Sequence, residues 1–255
     1  MSKIYCFANH KGGTGKSTTT LNVGAGLVRL GKKVLLIDLD PQTNLTVMLG
    51  IYSRPAKTLY ELLSEECKVE ETILSINDKL NLLPSSLDLS GAELEISTER
   101  GRETKLKRLL APIVNKYDYV LIDAPPSMSL LTINGLVASQ KVFIPVQTEF
   151  IALNGLTKFV EIINKIKALN PELQIGGVIA TRYDNRKVLN RGVVEKIKEL
   201  FGDKLLNTII RENIAVAESV AGGLDIFNYA PKSYGAEDFS LLVNEIVNLS
   251  NNKKG

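Results

Sequence analysis

Apolar runs that end in an acid recur along the chain. Val34–Asp38 reads V-L-L-I-D, and residues 119–126 read Y-V-L-I-D-A-P-P. Uninterrupted runs of this kind are the pattern of parallel strands buried on both faces. Ile4, Tyr5, Cys6 and Phe7 form another, and Leu80–Leu83, ended by Pro84, predicts a short strand. Residues 141–146 predict a strand with Pro145 near its end, where a missing N–H costs least. Residues 174–180 and 205–210 predict two more. Between the first two runs, Leu21, Val23, Ala25, Leu27, Val28 and Leu30 predict a helix over 17–30, with Gly31 just past its end. Helices are also predicted over 58–66, 68–75, 103–115 (with Pro112 near its end), from 130 onward, and over 155–169, 189–201 and 235–250. Strands alternating with helices predict one α/β domain over 1–255, a mostly parallel twisted sheet with helices on both faces.

The polar stretch after the first strand changes that generic picture. It reads Lys11-Gly12-Gly13-Thr14-Gly15-Lys16-Ser17. It fits G-x-x-x-x-G-K-[ST] loosely, because the first glycine would fall at Asn9 or His10. Three glycines in four positions let the backbone aim successive N–H groups at one anion. The helix starting near Lys16 adds its positive end. Lys16 supplies a cation for β- and γ-phosphates, and the Ser17 hydroxyl suits Mg²⁺. The strand-loop-helix order predicts a P-loop NTPase, against the plainer alternative of a glycine-rich turn.

Lys11 is a second cation that holding one nucleotide does not require. K-G-G-T-G-K-S resembles the deviant Walker A motif of the MinD/ParA group of ATPases. That resemblance implies an ATP-dependent sandwich homodimer in which Lys11 reaches the partner's nucleotide; the alternative is a solvated loop lysine. It also implies that Gly12, Gly13, Thr14, Gly15, Lys16, Ser17 and Thr18 wrap ATP. His10 stands where glutamine is usual in the group and reads as a bystander.

Asp38-Leu39-Asp40-Pro41-Gln42 lies at the carboxyl end of the second strand, where open α/β sheets bind ligands. In an extended segment Asp38 and Asp40 would point the same way. The run resembles the D-x-D-P-Q motif of the ParA/Soj group. There the first aspartate lies near the metal and the second, matching Asp40, positions or activates the attacking water. The alternative is that Asp40 caps the next helix, with Pro41 as its first residue. Asp123 closes a strand in a Walker B layout, resembles the acid of the group's hhhhDxPP motif, and is expected to hold a water on Mg²⁺ beside Ser17; the alternative is a strand-end turn acid. Lys11, Lys16 and Asp40 are thus the expected catalytic groups for phosphoryl transfer to water.

No N-K-x-D segment reads guanine, so adenine is expected. The resemblance places it between Thr181-Arg182-Tyr183-Asp184 and Ile210-Arg211-Glu212-Asn213, with Arg182, Arg211 and Asn213 as candidate contacts. Arg182 replaces an apolar residue, and P-R-N is usual where Arg211-Glu212-Asn213 stands. The segment 147–156 resembles the one flanking the group's dimer face, with Asn154 where an acid is common.

Composition adds limits. Over 255 residues, 44% are hydrophobic and 23% charged, an ordinary globular balance. A net charge of +3 is too weak to announce a nucleic-acid binder, so any DNA contact needs local patches. The ParA resemblance implies sequence-independent binding of double-stranded DNA, with Arg186, Lys187, Arg191 and Lys232 as candidates. Glu212 and Ala215 stand where many relatives carry arginine. The cations Arg100, Arg102, Lys105, Lys107 and Arg108 read as a solvated helix face. Two cysteines and no signal or transmembrane pattern fit a reducing cytoplasm.

Rival branches fit less well. The MinD branch ends in a basic membrane-surface helix. Here Phe239, Leu242, Val243, Ile246 and Leu249 form a core-facing stripe followed by Lys253 and Lys254, so no membrane contact is expected. Cys6 and Cys67 do not match the subunit-bridging cysteines of nitrogenase reductases. No tyrosine-rich tail marks a bacterial tyrosine kinase. The resemblance implies a nucleoid-associated ParA/Soj-like ATPase that partitions DNA. A centromere-binding ParB-like partner would stimulate hydrolysis. The alternative is an ATPase positioning a protein assembly on a scaffold other than DNA.

Overall fold

A computed structural model of the chain describes residues 2–148 and 153–251. β1 (Lys3–Phe7), α1 (Lys16–Arg29) and β2 (Val34–Asp38) form the first β-loop-α-β unit. The short helices α2 (Asn44–Met48), α3 (Leu59–Leu63) and α4 (Val69–Thr72) lead to β3 (Leu74–Asn77) and β4 (Leu80–Leu83). Then come α5 (Leu89–Ile96), α6 (Lys105–Leu110), β5 (Tyr119–Asp123), α7 (Leu130–Ala138), β6 (Lys141–Gln147), α8 (Leu153–Ile166) and β7 (Gln174–Thr181). The chain continues through α9 (Val188–Phe201), α10 (Ile214–Ala221), α11 (Ile226–Tyr229) and α12 (Tyr234–Asn251).

The strands lie in the order β3-β4-β2-β5-β1-β6-β7, and only β3 runs antiparallel to its neighbour. Alternation along each strand splits the core in two. Tyr5, Phe7, Val34, Leu36, Tyr119 and Leu121 pack under α1, α11 and α12. Cys6, Leu35, Ile37, Val120 and Ile122 face the helices from α3 to α9. The chain leaves β1 for β2 on one side and leaves β5 for β6 on the other. Such a reversal opens a crevice at the carboxyl ends of the strands, where ligands bind. Register places Phe7, Asp38 and Asp123 level with one another at that rim.

Four expectations need correction. Residues 205–210 form no strand. Leu206 and Ile210 donate backbone bonds to β7, but between them the Glu245 carboxylate of α12 accepts from the N–H groups of Asn207 and Thr208. Residues 68–75 are not one helix: α4 stops at Thr72, and β3 follows as a half-buried edge strand. The helix expected over 103–115 ends at Leu110, two residues before Pro112. Lys105 is not solvated; it is buried, with its ammonium 2.7 Å from Glu99 and 3.3 Å from Glu65. Pro145 behaves as expected. β1 has ended opposite it, and the Asn9 side chain takes its carbonyl at 2.7 Å. Cys6 is a buried free thiol. No helix among the described residues is long and apolar enough to cross a membrane.

Candidate active site

The loop between β1 and α1 is strutted from outside, which leaves its inner N–H groups for a ligand. Gly13 and Gly15 take left-handed φ values of 72° and 87°, so side chains there would be strained. Their turns are held by Gln147 Nε2 donating to the Gly13 carbonyl at 2.6 Å and by Thr181 Oγ1 donating to the Thr14 carbonyl at 2.9 Å. Asn9 Oδ1 accepts from the Lys11 N–H at 3.1 Å. No side chain caps α1, and its first turn carries no acid. Neither a capping side chain nor a first-turn acid therefore offsets the positive helix end.

Lys16 is buried and donates to the Lys11 carbonyl at 3.1 Å. Burial lowers its pKa, opposed by the nearby carboxylates of Asp123 and Asp40. Lys11 and Ser17 are half-buried at the rim. His10 packs its ring beside Phe159, 6.1 Å between centroids, and against Gly155. Burial, Lys16 and Lys11 all lower its pKa.

The three aspartates differ. Asp123 is fully buried, and no hydrogen bond reaches either carboxylate oxygen. Its pKa is driven well up by burial and by Asp38, with the Ser17 hydroxyl and Lys16 working the other way. Asp38 is equally buried, but its carboxylate turns to the N–H and hydroxyl of Thr46 and to the Asp40 N–H. Burial still pushes it up to about 7. Asp38 and Asp40 therefore do not act as a parallel pair. Nor does Asp40 cap a helix with Pro41 as first residue. Asp40 Oδ1 accepts from Gln42 N–H at 2.9 Å, and α2 starts later, at Asn44.

Mg²⁺ fits this donor set. A buried carboxylate without a hydrogen bond, next to a serine hydroxyl, is an arrangement that a cation completes. Mg²⁺ uses one or two protein oxygens alongside substrate phosphates and water, which matches Ser17 and Asp123. When bound, it neutralises charge on the phosphate oxygens.

Beside the loop opens a cavity of about 560 Å³ between α1, the end of β7 and the segment 210–213. Gly13, Gly15, Thr18, Arg182, Arg211 and Asn213 all line it. Arg211 does not offer a free guanidinium, contrary to expectation. It is tied to Asp238 at 2.6 Å and to Glu237, and stacks 4.3 Å from the Tyr234 ring centre. Arg182 pairs with Glu212 at 3.2 Å. Asn213 caps α10 by accepting from the Ala215 N–H. The sequence reading missed α10, which walls the cavity, although Asn213 ahead of Ile214-Ala215-Val216 was the available cap signal. It also missed Gln147 and Thr181 as loop struts, which no local motif announces.

Two of the four cations expected on the basic face are paired with acids of the chain. Arg186 pairs with Asp184 at 2.9 Å, and Lys187 lies 3.3 Å from Glu212. Those partners hold the Asp184 carboxyl down to about 2. Arg191 donates to the Asn185 carbonyl, and Lys232 is exposed in the turn before α12. Residues 149–152 and the Asn154 side chain, expected beside a dimer face, lie outside the described residues, as do Lys253 and Lys254.

Comparison with known proteins agrees with this geometry. The AAA domain family model matches residues 2–175. The chain is 42% identical to the chromosome-partitioning ATPase Soj of Treponema pallidum, over 97% of this chain and 98% of that one. It is 41% identical to the sporulation initiation inhibitor protein Soj of Bacillus subtilis, over 97% and 99%. A crystal structure of cobyrinic acid a,c-diamide synthase from Mycobacterium smegmatis, with bound ADP and magnesium, superposes with a TM-score of 0.87 at 32% identity. It covers 100% of this chain and 97% of that chain. A phosphate loop with two lysines, a buried carboxylate fit for Mg²⁺ and this full-length similarity place the chain in the ParA/Soj family, as an ATPase using Mg²⁺.

Proposed function

We propose that this ATPase is a nucleotide-driven switch for partitioning DNA, in the cytoplasm and on the nucleoid. ATP, wrapped by residues 12–18, brings two copies into a sandwich dimer, with Lys11 reaching the partner's nucleotide. Lys16 and Mg²⁺ on Ser17 and Asp123 neutralise the phosphates, and Asp40 positions the attacking water. Hydrolysis removes the γ-phosphate that holds the halves together and so reverses the switch. Dimerisation gathers Arg186, Lys187, Arg191 and Lys232 of both copies onto one duplex, without sequence preference. A ParB-like centromere-binding protein stimulates hydrolysis.

The observation that carries this reading is the pair of lysines in one loop. Lys16 is buried at the phosphate site and supplies the cation that one nucleotide needs. Lys11, half-buried at the loop's start, is then surplus to a monomer. Partitioning itself rests on the names of the relatives. Sedimentation with ATP, ADP or no nucleotide, with and without duplex DNA, tests the reading. ATP alone should give dimers, only those dimers should bind DNA, and Lys11→Ala should lose both dimers and hydrolysis. ATP-independent dimers, or wild-type hydrolysis by Lys11→Ala, would refute it.

A second reading, a switch working on a protein scaffold, has one observation in its favour. Asp184 and Glu212 already occupy Arg182, Arg186 and Lys187. ATP dimers that fail to bind DNA at low salt would favour it.

A further inference from the structure

The hydrogen bonds around Asp40 close on themselves. Its N–H donates to Asp38 Oδ1 at 3.2 Å. Asp38 Oδ2 accepts twice from Thr46, from the N–H at 2.8 Å and from the hydroxyl at 2.6 Å. The Thr46 hydroxyl oxygen accepts from the Ser85 N–H at 3.1 Å, and the Ser85 hydroxyl donates to the Asp40 carbonyl at 2.7 Å. Both backbone groups of Asp40 are thus gripped by one ring drawn from the end of β2, from α2 and from the loop after β4. All four residues are buried. Hydrogen bonds to a carboxylate are strong, and a buried network rigidifies what it holds.

The neighbouring turn carries backbone strain. Thr43 has φ 57°, the left-handed region, which is unfavourable for a β-branched residue. Its N–H donates to the Asp40 carbonyl at 2.9 Å, the same oxygen that Ser85 holds. Strain of this kind persists only where the surroundings over-determine the conformation. Thr46 and Ser85 do not line the nucleotide cavity; with Thr43 they line a separate one on the far side of the turn.

We propose that Thr46 and Ser85 are positioning residues for hydrolysis. The ring they complete with Asp38 fixes the main chain of Asp40, and so the place of its carboxylate, without touching ATP. This rests on the reading of Asp40 as the group that positions water.

The consequence is a rate effect without a binding effect. Misplacing a reacting group by about 1 Å costs about 10²-fold. Thr46→Val keeps the side-chain shape but loses the hydroxyl and two hydrogen bonds: the Ser85 link breaks, and the Asp38 link is left with the Thr46 N–H alone. It should lower single-turnover hydrolysis on the order of 10-fold to 10²-fold, with ATP affinity within about 2-fold of wild type. Thr46→Ser, which keeps the hydroxyl, should recover most of that rate. Ser85→Ala, which breaks one link, should fall between.

A double-mutant cycle with Asp40→Ala separates positioning from general damage. If Thr46 acts through Asp40, then Thr46→Val adds no further loss once Asp40 is alanine. Single-turnover hydrolysis at saturating ATP, nucleotide affinity and thermal unfolding are measured for each protein. Wild-type turnover by a folded Thr46→Val, while Asp40→Ala is slow, overturns the proposal and leaves the Asp40 reading standing. An equal loss in both backgrounds also overturns it. Normal turnover by Asp40→Ala removes the Asp40 reading, and the proposal with it. Should Thr46→Val fail to fold, Ser85→Ala carries the same cycle.

Discussion

Replacing Asp123 by asparagine should make the nucleotide-free protein more stable while destroying its use of magnesium. Asp123 is wholly buried, and no donor reaches its oxygens. The nearest compensating cation, Lys16, is itself buried and donates to the Lys11 carbonyl. An unpaired buried acceptor costs about 1–3 kcal/mol, and a charged one costs more. A neutral amide still pays the uncharged part of that cost and escapes only the excess that the charge adds, so Asp123→Asn should gain on the order of 1 kcal/mol. For a chain of this size each kcal/mol moves the midpoint by about 2–4 °C, so a rise of that size is expected. The pH dependence follows with a definite sign. The native carboxyl is raised above its unfolded value of about 3.9, so the folded chain binds more protons across that interval. Wild-type stability therefore falls as pH rises from about 4 toward the raised native value. Asparagine should flatten that slope, leaving the part that Asp38 contributes up to about 7. Thermal unfolding between pH 4 and 8, with and without ADP and Mg²⁺, reads all of this. Magnesium should add to the ADP-induced shift in wild type and add nothing in Asp123→Asn. A lower midpoint for nucleotide-free Asp123→Asn, or a preserved magnesium increment, would refute the argument.

Lys16→Ala should abolish nucleotide binding, since it removes the buried cation at the phosphate site; unchanged ATP affinity by calorimetry would contradict the loop assignment. Glu212→Arg should free Lys187 and add a cation to its face. Duplex affinity of the ATP dimer should rise, and the log-log salt slope should steepen by about 1 per added phosphate contact. Gly155→Ala should destabilise by about 1–3 kcal/mol, because a Cβ there falls 1.8 Å from His10 Nε2; His10→Ala in the same chain should remove most of that loss. The lowered His10 pKa gives stability that is complete above about pH 6.5 and lost as pH falls through the native value; His10→Gln should erase that slope in urea titrations.

Legibility in the sequence followed how local the deciding interaction is. β2 and β5 were readable to the residue, because strands buried on both faces leave an unbroken apolar run; β4, interrupted by Asn81, was readable from the Pro84 that ends it. β3 is an edge strand whose signal, the alternation Leu74-Ser75-Ile76-Asn77, is only four residues long and follows a helical turn. Residues 205–210 have strand composition, but the Glu245 carboxylate, 37 residues away from Thr208, captures the amide between Leu206 and Ile210 that a ladder to β7 would need. The phosphate loop was readable because its chemistry lies within seven consecutive residues. The fate of Arg211 was not, since its partners Glu237 and Asp238 lie on α12.

The rim of the sheet shows why residue type alone does not assign a role. Asp38, Asp40 and Asp123 are the same side chain within one small region, and all three are buried. Asp38 receives three hydrogen bonds, so most of its accepting capacity is already taken by the protein. Asp123 receives none, so it is the carboxylate of the three best fitted to take a cation. Asp40 is held by its main chain at both the N–H and the carbonyl. Its carboxylate is thus aimed by the backbone, while one oxygen takes only the Gln42 N–H. Register puts Asp38 opposite Asp123, so two negative charges at this depth raise each other's cost. The pair therefore resists full ionisation, a resistance that a cation held by Asp123, as proposed above, would relieve. Asp38 is thus the tie between this buried charge pair and the ring that grips the main chain of Asp40, so one aspartate serves placement while its neighbour across the sheet keeps its oxygens open.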